Sequence, residues 1–235
     1  MCPDRDLNAR PGFFLTFEGL DGSGKTTQIR RLTDTFDSDG TPYLVTRQPG
    51  GTAFGDRIRA LLLDSKSEGL APRTELAMMF ADRAQAIQEV IAPALAADKL
   101  VICDRFTDST EAYQGGGRNL GSDLVLSLHR LICGDLQPDL TILLLPDLQA
   151  SLARARRRNT RKSRRGSKKD ESRFEAEHDA FFLRVYEKYR EIAAREHQRV
   201  VIIEGELDVD EVHARVMKAI SERLKQWQTQ SANSA

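Results

Sequence analysis

Residues 19–26 read GLDGSGKT, and this short stretch limits what the chain can fold into more than any other. Its spacing fits G-x-x-x-x-G-K-[ST] without a gap. Glycines let the backbone curl so that successive N–H groups point at one anion. A helix starting near Gly24 adds its positive N-terminal end. Lys25 supplies a cation for the outer phosphates, and the Thr26 hydroxyl is a hard oxygen ligand suited to Mg²⁺. Gly19, Leu20, Asp21, Gly22, Ser23, Gly24, Lys25 and Thr26 are therefore the candidate ATP-binding residues. The alternative is a plain glycine-rich turn, and its flanks speak against that. Phe13, Phe14, Leu15, Thr16 and Phe17 precede it as an apolar, β-favouring run that reads as a strand buried on both faces. Ile29, Leu32 and Phe36 follow at helical spacing. A nucleotide site follows, but the loop alone does not name what receives the phosphate.

At 235 residues, with 40% apolar and 30% charged residues, the chain suits one large soluble α/β domain with a full core. Lys+Arg and Asp+Glu balance at 35 each, so net charge argues for no particular partner. Cys2, Cys103 and Cys133 show neither metal spacing nor an even framework, which suits a reducing cytosol. The opening MCPDRDLNARPG has no apolar h-region, so it is not read as a secretory signal. No apolar run approaches the ~18 residues of a membrane span. A cytoplasmic protein is expected.

Taken in order, residues 1–12 read as a flexible polar tail. A strand at 13–17, a helix to about residue 38, and a strand at 43–45 follow. The segment Thr46-Arg47-Gln48-Pro49-Gly50-Gly51-Thr52 lies just after that second strand, at the sheet end where open α/β folds bind ligands. Helices are expected at 53–63 and 73–97, the latter kinked by Pro93. A third strand at 100–103 ends in Asp104-Arg105-Phe106. Asp104 at a strand tip beside a phosphate loop suits metal duty, with helix capping as its structural alternative. Residues 111–118, EAYQGGGR, are polar and glycine-rich after a short helix. A helix at 124–132, a strand at 140–145 and a helix from 148 lead into RARRRNTRKSRRGSKK at 154–169. That block reads as a nucleic-acid patch or, more sharply, as a mobile lid that closes arginines onto phosphates. A helix at 173–196, a strand at 200–203 and a last helix carrying Val209, Val212, Val216 and Ile220 complete the chain. A flexible tail covers 228–235. Alternating strands and helices predict a three-layer α/β/α fold of the P-loop NTPase type, with a five-stranded parallel sheet and a lid at about 154–173.

Four pieces together resemble the thymidylate kinases: the 19–27 loop, TRQPGGT at 46–52, DRF at 104–106 with YQGGGR at 113–118, and RFE at 173–175 followed by Phe181-Phe182. Their order and spacing match bacterial members over about residues 13–226. The resemblance implies transfer of the γ-phosphoryl group of ATP to dTMP with Mg²⁺, in a homodimer packed through segments near 53–63 and 73–97, with no nucleic-acid or membrane partner. It implies that Lys25 and the loop hold ATP, and that Thr26 and Asp104 position the metal. Asp21 would face the sugar 3′-hydroxyl, Arg47 and Arg105 the acceptor phosphate, and Arg83 the base and phosphate. Tyr113 would exclude a 2′-hydroxyl, and Thr110 and Gln114 would face thymine. Lys25, Asp21, Arg105 and a lid arginine, Arg164, are the implied catalytic residues. A cis bond between Gln48 and Pro49 is expected at the turn that presents Arg47.

Three features depart from the family pattern. Gln48 stands where bacterial members commonly carry Glu. The aromatic often found four residues before the helix arginine is Met79 here, with Phe80 one residue on. One residue turns a side chain by roughly 100° about a helix, and Phe80 is the expected cover for thymine. Gly22 follows Asp21 where some members have Arg, so the transition-state arginine should come from the lid. Arg154, Arg156, Arg157, Arg158, Arg161, Arg164, Arg165 and Arg173 are on offer, and Arg154 or Arg156 suits adenine stacking. Alternatives are a kinase for another nucleoside monophosphate (UMP, CMP or AMP), which would lack TRQPGGT and the DRF/YQGGG pair, or a P-loop switch or nucleic-acid-binding ATPase. No second basic face with interleaved aromatics supports the latter.

Overall fold

Alternation along the first strand sets the architecture. In the computed structural model, which describes residues 7, 11–67, 69–164, 173–205 and 207–234, β1 (Phe14–Glu18) lies at the centre of one sheet. It is joined by β2 (Tyr43–Arg47), β3 (Leu100–Asp104), β4 (Leu140–Leu145) and β5 (Val200–Glu204), all parallel, in the order β2-β3-β1-β4-β5. Successive side chains point to opposite faces. Phe13, Leu15 and Phe17 therefore pack on one face with Ile142, under Ile29 and Leu32 of α1 (Lys25–Asp39). Phe14 faces the other way, with Val101 and Cys103. Both faces are covered, as a wholly parallel sheet requires.

Between β2 and β3 run α2 (Ala53–Leu63) and α3 (Pro72–Ala86), the latter continued by a π-helical turn (Ile87–Ile91) and α4 (Ala92–Ala96). After β3 come α5 (Thr107–Thr110), a second π-helical stretch (Glu111–Gly117) and α6 (Ser122–Cys133). Next are α7 (Leu148–Arg164), α8 (Asp179–Arg195) and α9 (Val209–Ser234). Val216 and Ile220 of α9 complete the α1 layer. Leu76 and Phe80 of α3, Ile91 and Val125 cover Phe14, and Phe181, Val185 and Tyr189 of α8 cover Leu143 and Leu145. Because β3 and β4 flank β1 on opposite sides, the connections diverge at the carboxyl end of β1, the place where open α/β sheets bind ligands. The register sets Phe17 and Arg47 each beside Asp104, so three strand ends meet there.

Several elements differ from the sequence expectation, each for a physical reason. The 73–97 helix is continuous, and the irregularity expected at Pro93 is a widened turn just before it, where the Ala92 N–H bonds back to the Ile87 carbonyl. Proline lacks an N–H and its ring crowds the preceding turn, and a π turn relieves both. The EAYQGGGR stretch is itself helical. Its glycines permit close approach: a Cβ on Gly117 would lie 2.4 Å from the Phe181 ring, and one on Gly116 2.7 Å from Lys188 Cβ. The 173–196 helix is in two pieces, a short 3₁₀ turn (Arg173–Ala176) and α8. In the 228–235 segment, read from sequence as a tail, α9 runs on to Ser234; just before it, Trp227 stacks edge-on against Phe13 at 5.7 Å. Gly12 is tied by its N–H to the Leu95 carbonyl at 2.9 Å. The rest of the 1–12 tail, apart from Leu7 and Pro11, and residues 165–172 of the lid lie outside the described residues. Among the described residues no helix is long and apolar enough to cross a membrane.

Ile142, fully buried on central β4, tests the core. Ile142→Ala should lower the unfolding free energy by about 2–5 kcal/mol, read from the urea midpoint with an unchanged slope. A shift within about 0.5 kcal/mol, the range of an ordinary surface substitution, would contradict its central placement.

Candidate active site

The loop after β1 closes on α1 through Gly24, whose backbone (φ 105°) turns the chain into the helix. That left-handed conformation favours glycine. Gly22 is required by contact as well as by conformation, since a Cβ there would meet the Ser151 carbonyl of α7 at 2.5 Å. An arginine at this position has no room beside α7. Lys25 opens α1 and folds back on the loop, donating to the carbonyls of Gly19 and Leu20, both at 2.9 Å. Burial pulls its pKa down to about 8; Arg105 adds to this, and Asp104, Asp21 and Glu18 oppose it. Thr26 is exposed on the first turn of the same helix.

Arg105 leaves β3 with a left-handed backbone (φ 72°). Its guanidinium reaches Asp21 of the loop at 2.9 Å, Ser109 Oγ at 3.0 Å, and the hydroxyls of Tyr189 and Tyr113 at 3.3 and 3.4 Å. It also stacks over the Tyr113 ring at 5.1 Å. That ring is wedged edge-on against Phe174, Phe181 and Tyr189. Behind Arg105 lies Glu18, the fully buried last residue of β1. Its carboxyl accepts from the Phe106 N–H at 2.7 Å, from the Tyr189 hydroxyl at 3.1 Å and from Ser109 Oγ. Burial, with Asp108 adding to it, pushes its pKa up to about 7. Sequence reasoning missed Glu18, Ser109 and Tyr189. The available signal was a carboxylate closing an otherwise apolar strand, which must find donors somewhere in the fold.

A second cationic group sits deeper. Arg83 of α3 donates to Gln48 Oε1 at 2.8 Å, the Phe106 carbonyl at 3.1 Å and Thr110 Oγ1 at 2.7 Å. All three acceptors are neutral, and its Nη1 is buried without a partner. Burial lowers its pKa. Phe80 sits beside this arginine. Its ring is fully buried in the core with Phe14 and Leu76 and lies behind the guanidinium, 5.1 Å away. Met79 is the partly exposed member of the pair and packs against the cluster that holds Tyr113 and the α8 aromatics. Gln114, also fully buried, donates to Glu75 Oε1 at 2.7 Å.

The TRQPGGT turn carries a cis peptide bond between Gln48 and Pro49, as expected. Asp82 holds the turn by accepting from the Gly50 N–H at 2.8 Å, and its pKa is pushed up to about 6 by burial. Arg47 lies at the rim, half exposed and 3.2 Å from Asp56. Asp104 accepts the Gln48 N–H through its carbonyl at 3.0 Å, while its side-chain Oδ1 is buried without a partner. No group of three or more His, Cys, Asp or Glu residues able to hold a metal occurs among the described residues. A Mg²⁺ ion that works with phosphates needs only one or two protein oxygens, and the spare Asp104 oxygen with the Thr26 hydroxyl fits that need. Of the lid arginines, Arg154 donates to the Gly22 carbonyl at 2.8 Å and so sits on the phosphate loop. Arg173 is not free to act as a lid cation. It is buried, 2.7 Å from Glu75, and also donates to the Leu62 carbonyl. The side chains of Arg156, Arg158, Arg161 and Arg164, and all of Arg165, lie outside the described residues.

A phosphate loop at the switch point of a parallel sheet, with Arg105 reaching Asp21 of that loop, defines a P-loop nucleotide kinase fold. The profile of the thymidylate kinase family matches residues 17–216. A thymidylate kinase of Geobacter sulfurreducens is 45% identical over 214 residues, covering 91% of this chain and 98% of its own. One from Pelobacter propionicus is 44% identical over the same length, covering 91% and 96%. The crystal structure of thymidylate kinase from Ehrlichia chaffeensis superposes with a TM-score of 0.70 at 32% identity, covering 89% of this chain and 98% of that one. The chain belongs to the thymidylate kinase family.

Lys25 yields a pH prediction. Its folded pKa, about 8, lies below the ordinary 10.5, so in the free protein the ammonium is charged below pH 8 and neutral above it. A polyphosphate needs the charged form. Kd for ATP should therefore be flat from pH 6.5 to 7.5 and rise above pH 8 by up to about tenfold per unit. Titration to pH 9.5 checks this, and a flat profile throughout would contradict the buried, carbonyl-held lysine.

Proposed function

We propose that this protein phosphorylates dTMP to dTDP with ATP, by in-line transfer of the γ-phosphoryl group. The observation that carries the reading is the placement of Arg105, which bridges Asp21 of the phosphate loop and the Tyr113 ring of the opposite half. The acceptor 5′-phosphate belongs beside Arg105 and Arg47. Its oxygen attacks the γ-phosphorus as the bond to the β-phosphate oxygen breaks, and ADP leaves. Two polyanions must approach, so pre-placed cations supply most of the assistance. Lys25 and the loop amides hold the β- and γ-phosphates. An arginine of the 154–173 segment, Arg164 in our reading, adds charge at the transferring group. Asp21 accepts from the sugar 3′-hydroxyl. Tyr113, held by rings on three sides, fills the space a 2′-hydroxyl would need. Arg83, Thr110 and Gln114 face the base, with Met79 alongside.

Thr26 and Asp104 would hold Mg²⁺, which when bound neutralises charge on the bridging phosphates. The protein works in the cytoplasm, as a homodimer. The apolar residues Phe54 and Leu61 of α2 and Leu131 of α6 are exposed, at 42%, 59% and 82%, and these two helices flank α3. A shared face of that kind is what a self-complementary interface needs.

The deciding assay is ADP production from MgATP with dTMP, against dUMP, UMP, CMP and AMP. Turnover on dTMP should far exceed the rest. A peak on another monophosphate would keep the fold and refute the substrate, and acceptor-independent hydrolysis would favour a nucleotide switch. Lys25→Ala should cut turnover on the order of 10²–10³ with the circular dichroism spectrum intact; retained activity would sink the loop assignment. Tyr113→Ala should narrow the preference for dUMP over UMP. An unchanged ratio would remove its sugar role.

A further inference from the structure

Two facing stripes carry the deeper half of the site. Glu75, Met79 and Arg83 recur every four residues along α3, and Thr110 and Gln114 do the same on the helical run after β3, so each set lies on one face of its helix. Two hydrogen bonds cross between them, Arg83 to Thr110 Oγ1 and Gln114 Nε2 to Glu75 Oε1, both at 2.7 Å. Glu75 is fully buried and also accepts from Arg118 (two bonds at 3.2 Å) and Arg173 (2.7 Å). With two guanidinium groups on it, the carboxylate can only accept. An amide facing an acceptor-only partner must turn its NH₂ toward it, so the Gln114 oxygen points the other way. That oxygen, Oε1, is buried without a partner, as is the donor Nη1 of Arg83.

We propose that Glu75 is a positioning residue for base selection: by fixing the Gln114 amide, it keeps one spare acceptor on the stripes beside one spare donor and so selects a 4-keto pyrimidine over a 4-amino one. A 4-keto pyrimidine presents N3–H beside the O4 acceptor and matches this pair; a 4-amino pyrimidine presents an N3 acceptor beside an NH₂ donor, the reverse. The inference rests on the dTMP reading above and adds what enforces its base preference. Glu75 touches neither base nor phosphate; it acts through Gln114.

The test is kcat/KM for dTMP, dUMP and dCMP at saturating MgATP. In Glu75→Gln the partner amide can donate or accept, so Gln114 can flip. The dTMP:dCMP ratio should fall at least about tenfold. The dTMP:dUMP ratio should hold, because uracil shows the same edge as thymine. A parallel fall on all three substrates would mean a purely structural role and overturn the proposal. Arg173→Gln leaves Glu75 bonded to both Arg118 and Gln114, so the dTMP:dCMP ratio should hold there; a fall equal to that of Glu75→Gln would also overturn it. If Glu75→Gln does not fold, Gln114→Met removes the acceptor with Glu75 intact. Its dTMP:dCMP ratio should then fall, and an unmoved ratio counts against the proposal. A wild type with no preference for dTMP refutes the substrate reading and this inference together. A selective wild type with an unmoved Glu75→Gln ratio refutes this inference alone.

Discussion

The buried carboxyl of Glu18 is the contact on which the mouth of the sheet depends. Alternation along β1 sends it to the face of Phe14 and Thr16, away from water. An unpartnered carboxylate there would cost several kcal/mol. Three donors offset this: the Phe106 backbone at the exit of β3, Ser109 on α5, and Tyr189 on α8. One acceptor therefore ties the central strand, the turn that carries Arg105, and a helix 171 residues further along the chain. Ser109 and Tyr189 in turn are the groups that hold one arm of Arg105, while Asp21 holds the other.

The site's cations are placed in advance by partners weaker than a phosphate. Lys25 rests on two loop carbonyls, and Arg83 on an amide oxygen, a hydroxyl and a carbonyl. Neutral acceptors fix a guanidinium in direction while leaving its charge uncompensated, so an incoming anion meets a preorganised field. Gln48 matters in this respect. A carboxylate there would neutralise Arg83 at close range, whereas the amide oxygen only orients it. Fixed dipoles also reverse the usual accounting for a buried charge: the desolvation that lowers the pKa of Arg83 and Lys25 is the same feature that strengthens their pull on phosphate.

Much of this was legible because it is local. The phosphate loop is set by glycine conformation, one lysine and one hydroxyl within eight residues, and each does its work through nearby backbone. Strand positions followed from apolar runs, and the TRQPGGT turn from its proline and glycines. What was not legible is long-range or angular. Phe80 and Met79 are adjacent, and only the rotation of α3 against the sheet decides which one enters the core. Arg173 has the composition of a lid residue but is captured by Glu75, 98 positions away. The glycines of EAYQGGGR showed only a polar, glycine-rich stretch; their use is to let α8 pack closely against them.

The sequence by itself determined that the chain binds nucleotide phosphate at the end of a central parallel strand, since that chemistry is encoded in contiguous residues with fixed backbone requirements. It also carried the motifs that mark the family. Only the tertiary structure decided how the charges are shared: Glu18 with Ser109 and Tyr189, Glu75 with Gln114, Arg118 and Arg173, Arg83 with Gln48 and Thr110. Buried polar groups are satisfied by whatever the packing brings within hydrogen-bond reach. For this chain those partners come from helices far apart in sequence, where spacing and periodicity carry no information about who meets whom.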